Sequence, residues 1–312
     1  GHLAVGQLAA AEAVAAVGIA GITRANGTLS ASSGSDCAVT WTVTFTPTDA
    51  REGATHDTRT ATALNNTAGN APVSGASTSN YIIDTTEPVV TITDDTSGTA
   101  ISNVTYTFSF SESVSGFAPG DITVSGGSKG TFTSVSGTEY TLVVTPADNS
   151  TSNITVDVAA DGVTDGAGNG NLVATQSVQA VDTVEPVISS VVMSDSTLLV
   201  GETSAVTITF SEAVTAFTNA DITLENGTLT TISSVDSGVT WTGTFTPTDD
   251  IEDASNVISI ATTLTDAAGN APESGASTSN YTIDTTEPVI SSVTLSDYAP
   301  VAATHLTLPT NL

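Results

Sequence analysis

Two sets of five carboxylates stand in this chain beside the same neighbours. Asp84 and Glu87 lie in Asp-Thr-Thr-Glu-Pro, Glu112 follows Phe-Ser, Asp121 precedes Ile122, and Asp165 opens a short run ending at Asn169. Asp182, Glu185, Glu212, Asp221 and Asp266 repeat them about 100 residues on, with Asn270 in the place of Asn169. Close like charges repel by about 1 to 4 kcal/mol per pair at effective dielectrics of about 80 to 20. A hard divalent cation relieves that repulsion. Ca2+ takes six to eight oxygen ligands in irregular mixtures of carboxylate and carbonyl, whereas Mg2+ demands stricter geometry. The plainer reading is that Asp and Asn make turns and that surface acids keep the chain soluble. Asp148, and Asp249, Asp250, Glu252 and Asp253, form further acidic turns at the opposite pole, either as added ligands or as solvated loops.

Other chemistry lacks its parts. His2, His56 and His305 are scattered and no Cys/His group has zinc spacing, while Ser and Thr abound without a partner base. Paired carboxylates can serve a glycosidase, but a pair that recurs with every copy argues for structure, so the chain is read as non-enzymatic. With 33 acidic against 4 basic residues and a net charge of -29, there is no basic stripe for nucleic acid, and anionic membranes are disfavoured. No apolar run approaches a bilayer span, so no membrane insertion is expected. Cys37 is alone, and the single lysine, Lys129, excludes a lysine crosslink in every domain. Hydrophobic residues at 39% nevertheless suffice for a folded core.

The elements that place these acids are repeated. Residues 67–90 recur as residues 267–290 with changes at four of 24 positions, and Trp41-Thr-Val-Thr-Phe-Thr-Pro recurs from Trp241 with Gly243 in place of Val43. A middle copy carries Phe-Ser-Glu from Phe110, as the third does from Phe210. Within each copy the hydrophobic period is two: Tyr106, Phe108 and Phe110 alternate with Thr and Ser, as do Val206, Ile208 and Phe210. Thr-rich, β-branched strands with frequent turn residues, about seven per 100 residues, predict an all-β chain of tandem immunoglobulin-like sandwiches. Trp41 and Trp241 share parity with Phe45 and Phe245, which predicts core positions. Chain direction in such a sandwich brings a linker, the end of strand B, the start of C and the F–G turn to one pole. That pole would hold Asp84, Glu87, Glu112, Asp121 and Asp165 for the middle copy, and Asp182, Glu185, Glu212, Asp221 and Asp266 for the third.

The expected domains are 1–84, a partial copy lacking strand A; 85–182; 183–284; 285–303, the start of a fourth copy; and 304–312, a tail resembling an encoded sequencing adapter. Alignment at the offset of 200 predicts a strand over Leu8–Val14, with a free Ala-rich helix as the alternative. Gly21 and Asn66 stand where Asp221 and Asp266 stand, so the first copy's own acidic pole is incomplete.

Taken together, Asp-Thr-Thr-Glu-Pro, Phe-Ser-Glu with Phe-x-x-x-Asp-Ile, Thr-Pro-Thr-Asp and Thr-Asp-x-Ala-Gly-Asn resemble the bacterial Ig-like repeats of giant, calcium-dependent surface adhesins of Gram-negative bacteria. The resemblance covers residues 1 to about 297. It implies a stalk on the bacterial cell surface or secreted, type I export, a role in biofilm adhesion, Ca2+ at the joints, neighbouring repeats as partners, and a host-cell or surface ligand bound by a separate tip. The rival reading is a module whose own loops bind glycans or a partner cell.

Overall fold

The computed structural model describes residues 4–9, 22–23, 27–30, 40–48, 52–56, 59–60, 68–70 and 81–294. They form two compact units, Gly1–Val184 and Glu185–Leu312. Among the described residues no helix is long and apolar enough to cross a membrane, which says nothing of β-barrels.

The first domain has β1 (Ala4–Ala9), β2 (Ile22–Thr23), β3 (Gly27–Leu29), β4 (Thr40–Pro47), β5 (Glu52–His56), β6 (Arg59–Thr60) and β7 (Tyr81–Asp84). Its main sheet runs β1-β4-β3, with Leu8 opposite Trp41. The N-terminal stretch thus pairs as a strand from Ala4 despite its helix propensity, because cross-strand partners outweigh a weak local preference. Of the expected Leu8–Val14 strand, Leu8 and Ala9 are seen; residues 10–14 lie outside the described residues, as do Gly21, Asn66 and residues 295–312.

The middle domain follows with β8 (Val90–Asp94), β9 (Val104–Phe110), β10 (Ile122–Ser125), β11 (Gly127–Ser134), β12 (Glu139–Pro146), β13 (Ile154–Val158) and β14 (Ser177–Gln179). One sheet runs β11-β12-β9-β8 and the other β10-β13-β14. In immunoglobulin lettering these are D-E-B-A and C-F-G, the constant-type sandwich. The period of two has done what it should: Val104, Tyr106, Phe108 and Phe110 face the core with Tyr140, Leu142 and Val144, opposite Ile154, Val156 and Val158.

The third domain has β15 (Ile188–Met193), β16 (Thr197–Leu199), β17 (Ser204–Phe210), β18 (Ile222–Thr223), β19 (Gly227–Leu229), β20 (Ser233–Ser234), β21 (Thr240–Pro247), β22 (Glu252–Asn256), β23 (Ser259–Ile260), β24 (Ala276–Ser277) and β25 (Tyr281–Asp284). β15-β17-β21-β19 repeats the A-B-E-D sheet, β18-β23-β24 repeats C-F-G, and β16-β25-β22 extends it. Val206, Ile208, Phe210 and Phe245 are buried together. Trp241, expected with them, is only half-buried: its indole N–H donates to the Gly238 carbonyl at 2.9 Å, and its ring meets Phe217 edge-on at 5.4 Å. An indole N–H needs an acceptor, which draws the ring toward the hairpin tip.

The two complete domains fill one shape with different side chains. Register places Tyr106 opposite Leu142 in the middle domain and Val206 opposite Gly243 in the third. A Cβ on Gly243 would stand 3.2 Å from both Leu229 and Ile232, so those side chains have taken Leu142's space. Phe245 replaces Val144 and presses its ring on Gly227, where a Cβ would lie 2.3 Å from Cζ. Gly27 meets Phe45 in the same way. The recurring Asn-Gly-Thr is therefore a packing motif: Asn226 takes φ 55 and Gly227 leaves room for the ring.

Another equivalent pair differs in backbone cost. Gly116 has φ 85, and its counterpart Ala216 has φ 57. An L-residue with a Cβ is held in the left-handed region at about 1 to 2 kcal/mol. Ala216→Gly is expected to stabilise the third domain by about 0.5 to 1 kcal/mol and Gly116→Ala to destabilise the middle one by at least as much, read as shifts in urea midpoint.

Candidate metal centre at a domain joint

Each repeated motif splits into residues with separate duties. In the Phe-Ser-Glu run, Phe110 packs edge-on against Phe117 at 5.1 Å, and Phe210 against Phe217 at 5.3 Å. The serine that follows fastens the incoming chain. Val89 N donates to Ser111 Oγ (2.9 Å) and Ser111 N to the Val89 carbonyl (2.9 Å); Val187 and Ser211 repeat the pair at 2.8 and 2.8 Å. With Ser111 fastened in this way and Val114 N donating to the Gly137 carbonyl at 2.9 Å, Glu112 is held half-buried just beyond β9.

Asp165 is placed by its own turn. Its Oδ1 accepts the backbone N–H groups of Ala167, Gly168 and Asn169 at 2.7 to 2.8 Å, and Oδ2 accepts Asn169 Nδ2 at 2.8 Å. Burial alone would raise its pKa, but the Asn169 side chain and these backbone donors outweigh burial and hold it below the usual value. Asn169 Nδ2 also donates to the Asp84 carbonyl at 3.1 Å, tying the F–G turn to the linker. Asp84 ends β7, and its own Oδ1 accepts Thr86 N at 3.1 Å.

These constraints converge on one group. Carboxylate oxygens of Asp84, Glu112 and Asp165 all lie within 4.8 Å of one another, half-buried, half-buried and buried respectively. Asp84 comes from the preceding domain's last strand, Glu112 from the end of β9 and Asp165 from the F–G turn. The chain's lone lysine is engaged elsewhere: Lys129 Nζ donates to the carbonyls of Pro119 and Ile122.

The other expected ligands have different surroundings. Asp121 lies outside this group and closes a 3-10 turn, Pro119–Asp121, by accepting Ala118 N at 2.9 Å. Asp221 does the same for Asn219–Asp221, accepting Thr218 N at 2.9 Å and Thr263 Oγ1 at 2.6 Å. Burial raises the Asp221 pKa, and the Thr263 and Thr218 hydrogen bonds outweigh that and lower it. Glu87 and Glu185 are exposed beside buried prolines, Pro88 and Pro186. Asp182 belongs to the first unit, where its Oδ1 accepts Val184 N at 3.1 Å. In the second unit Glu212 is half-buried, and buried Asp266 accepts Gly269 N (2.6 Å), Asn270 N (2.9 Å) and Asn270 Nδ2 (2.9 Å), repeating the Asp165 turn. Of the acids at the opposite pole, Asp253 accepts Asn226 Nδ2 and Ser255 N, both at 2.9 Å, as a turn-former.

One functional set escaped the sequence reading. The threonine after each linker aspartate bolts the linker to the Thr-Pro turn of the domain it leaves: Thr85 Oγ1 donates to the Thr48 carbonyl (3.0 Å), Thr183 Oγ1 to Ala147 (2.7 Å) and Thr285 Oγ1 to Thr248 (2.8 Å). Ser150 N and Ile251 N donate back to Thr183 and Thr285 at 3.0 and 2.9 Å. The signal was present in the joint recurrence of Asp-Thr and Thr-Pro.

A family model described as a bacterial Ig-like domain matches residues 6–83, 84–181 and 182–283. The chain belongs to that family, as three domains in tandem. Among solved structures it is similar to FdeC, an Escherichia coli adhesin, at 15% identity over 90% of this chain and 96% of that one, with a TM-score of 0.36. It is also similar to invasin, a bacterial integrin-binding protein, at 13% identity over 83% of this chain, with a TM-score of 0.34. The chain covers 56% of the invasin chain's length. No curated protein matches it in sequence.

Two outcomes test this geometry. Asn169→Ala removes a charge-assisted donor from buried Asp165 and is expected to destabilise the middle domain by about 1 to 3 kcal/mol, measured by thermal unfolding. Asp221 has a lowered folded pKa, so its stabilisation is complete above the unfolded value, 3.8, and is lost as pH falls through the folded one. Urea unfolding across pH 5 to 2 should show the third domain weakening below about pH 4. Asp221→Asn should start weaker and lose less.

Proposed function

We propose that this chain is part of the stalk of a bacterial cell-surface adhesin, in which tandem sandwiches extend a distal binding tip and Ca2+ stiffens the joints. Three supports are membership of the bacterial Ig-like domain family, the tandem repetition, and linkers fastened to domains at both ends. The single observation that carries the metal is the Asp84, Glu112 and Asp165 group. Its donors are all hard oxygens, its charges are alike, and they come from a linker and a domain together. Such a set fits Ca2+ better than a transition metal, which favours nitrogen or sulfur. Asp84, Glu112 and Asp165 would hold the ion, and the ion would supply positive charge that removes their mutual repulsion. The Asp165 turn presents its carboxylate already oriented, and Asn169 keeps the linker carbonyl beside it. The location would be extracellular, reached by type I secretion, with adjoining repeats as partners and adhesion or biofilm formation as the outcome.

A second reading, direct contact with a glycan or cell-surface ligand through loops, has one observation in its favour. Val135 and Val235 sit exposed at the same hairpin tip in two domains.

The test is calorimetric melting of the full chain in Ca2+ and in EDTA, with small-angle scattering on the same samples. At free Ca2+ tenfold above Kd, one site should add about 1.4 kcal/mol to the middle domain. Glu112→Gln should reduce the gain and Lys129→Gln should not. Identical melting and identical scattering in Ca2+ and EDTA would overturn the calcium-stiffened joint.

A further inference from the structure

The strand that opens each sandwich and the strand that closes it decide how a domain answers a pull along the chain. In the third domain the opening segment is β15 followed by β16, and β16 runs parallel to the closing strand β25 with Thr197 opposite Thr282, Leu198 opposite Ile283 and Leu199 opposite Asp284. Thr282 N donates to the Ser196 carbonyl at 2.9 Å, and Leu198 is enclosed in the core. Tension draws β16 toward its N-terminal end and β25 toward its C-terminal end. Parallel strands pulled in this way must slide past each other, so all rungs bear the load together, whereas a hairpin opened from one end yields rung by rung.

The middle domain lacks this ladder. Its counterpart is one parallel bridge, Ala100 to Val181, made by Ala100 N to the Ala180 carbonyl (2.8 Å) and Asp182 N to the Ala100 carbonyl (2.9 Å). Gln179 Nε2 adds a side-chain bond to the Gly98 carbonyl at 2.6 Å. The antiparallel A–B pairing is comparable in both domains, with five pairs between β8 and β9 and five between β15 and β17. Of the two pairings that the incoming strand makes, the one that differs is its pairing with the outgoing strand.

We propose that the middle domain is the yielding element under tension and the third domain a mechanical clamp, so that the array lengthens at chosen domains while others stay folded. That such a load exists in life rests on the stalk reading; the order of unfolding does not. Forced unfolding follows the barrier under load and not equilibrium stability, so it must be measured by pulling.

The experiment pulls the full chain from its ends in a single-molecule instrument. Glycine-serine inserts of about 20 residues at the Val135 tip and about 40 at the Val235 tip lengthen the two release steps by roughly 70 and 140 Å, which labels each event. The middle-domain step is expected first in most traces, at a lower force than the third-domain step. Exchanging the two inserts must leave that order unchanged, which separates it from damage by an insert. Third before middle, equal forces, or an order that follows the insert overturns the proposal. The calcium and scattering measurements above are independent of it, so each reading can fail without the other.

Discussion

A threonine hydroxyl at the head of each linker is the contact on which the arrangement of motifs depends. Thr85, Thr183 and Thr285 each reach back to the Thr-Pro turn of the domain just completed. The aspartate before each threonine is thereby fixed at the rim of its domain. Directly after the prolines, Ser111 and Ser211 take hold of Val89 and Val187 and start the next first strand. Each linker of about five residues therefore has hydrogen-bond partners at both of its ends. Asp84 meets Glu112 and Asp165 because of this fastening, not through attraction among the three, which repel.

Outside those fixed points the domains vary widely. The crossing between the 3-10 turn and the following strands is braced in the middle domain by Lys129, reaching from β11 to the carbonyls of Pro119 and Ile122. In the third domain the brace runs the other way: Asn219, on the turn, donates to Leu229 and Thr230 carbonyls at 3.1 and 3.0 Å and accepts Ile232 N at 3.0 Å. Either direction gives a side-chain partner to backbone groups on the facing segment. The position needs a donor that spans the gap; the residue type is free.

The sequence showed the fold because period-two alternation and tandem repetition are properties of many residues at once. It showed Asp84, Glu112 and Asp165 as neighbours for a similar reason, since strand direction alone brings their segments to one pole. Asp121 and Asp221 looked the same by position, yet a carboxylate two or three residues from a free N–H is captured locally as a cap. Glu87 and Glu185 shared the repeated spacing of their linkers, but each stands exposed beside a buried proline. Trp241 had the correct parity and the wrong depth, because parity is blind to an N–H that requires Gly238. The threonine bolts were hidden by abundance: in a chain so rich in threonine, one hydroxyl with a structural duty looks like any other.

The exchange of Tyr106 and Leu142 for Val206 and Gly243, with Phe245 in place of Val144, has a consequence for how the chain acquires its folds. The long near-identical stretch is shared by the first and third domains, which are separated in sequence by the middle one. Nearest neighbours in tandem arrays are the copies most prone to exchange strands while still unfolded, and similarity between them increases that hazard. A middle-domain second strand bearing Tyr106 would push its ring toward Phe245 and leave Gly243 facing a side chain it cannot accommodate. Dissimilar cores in adjacent domains thus make a strand borrowed from next door a poor fit.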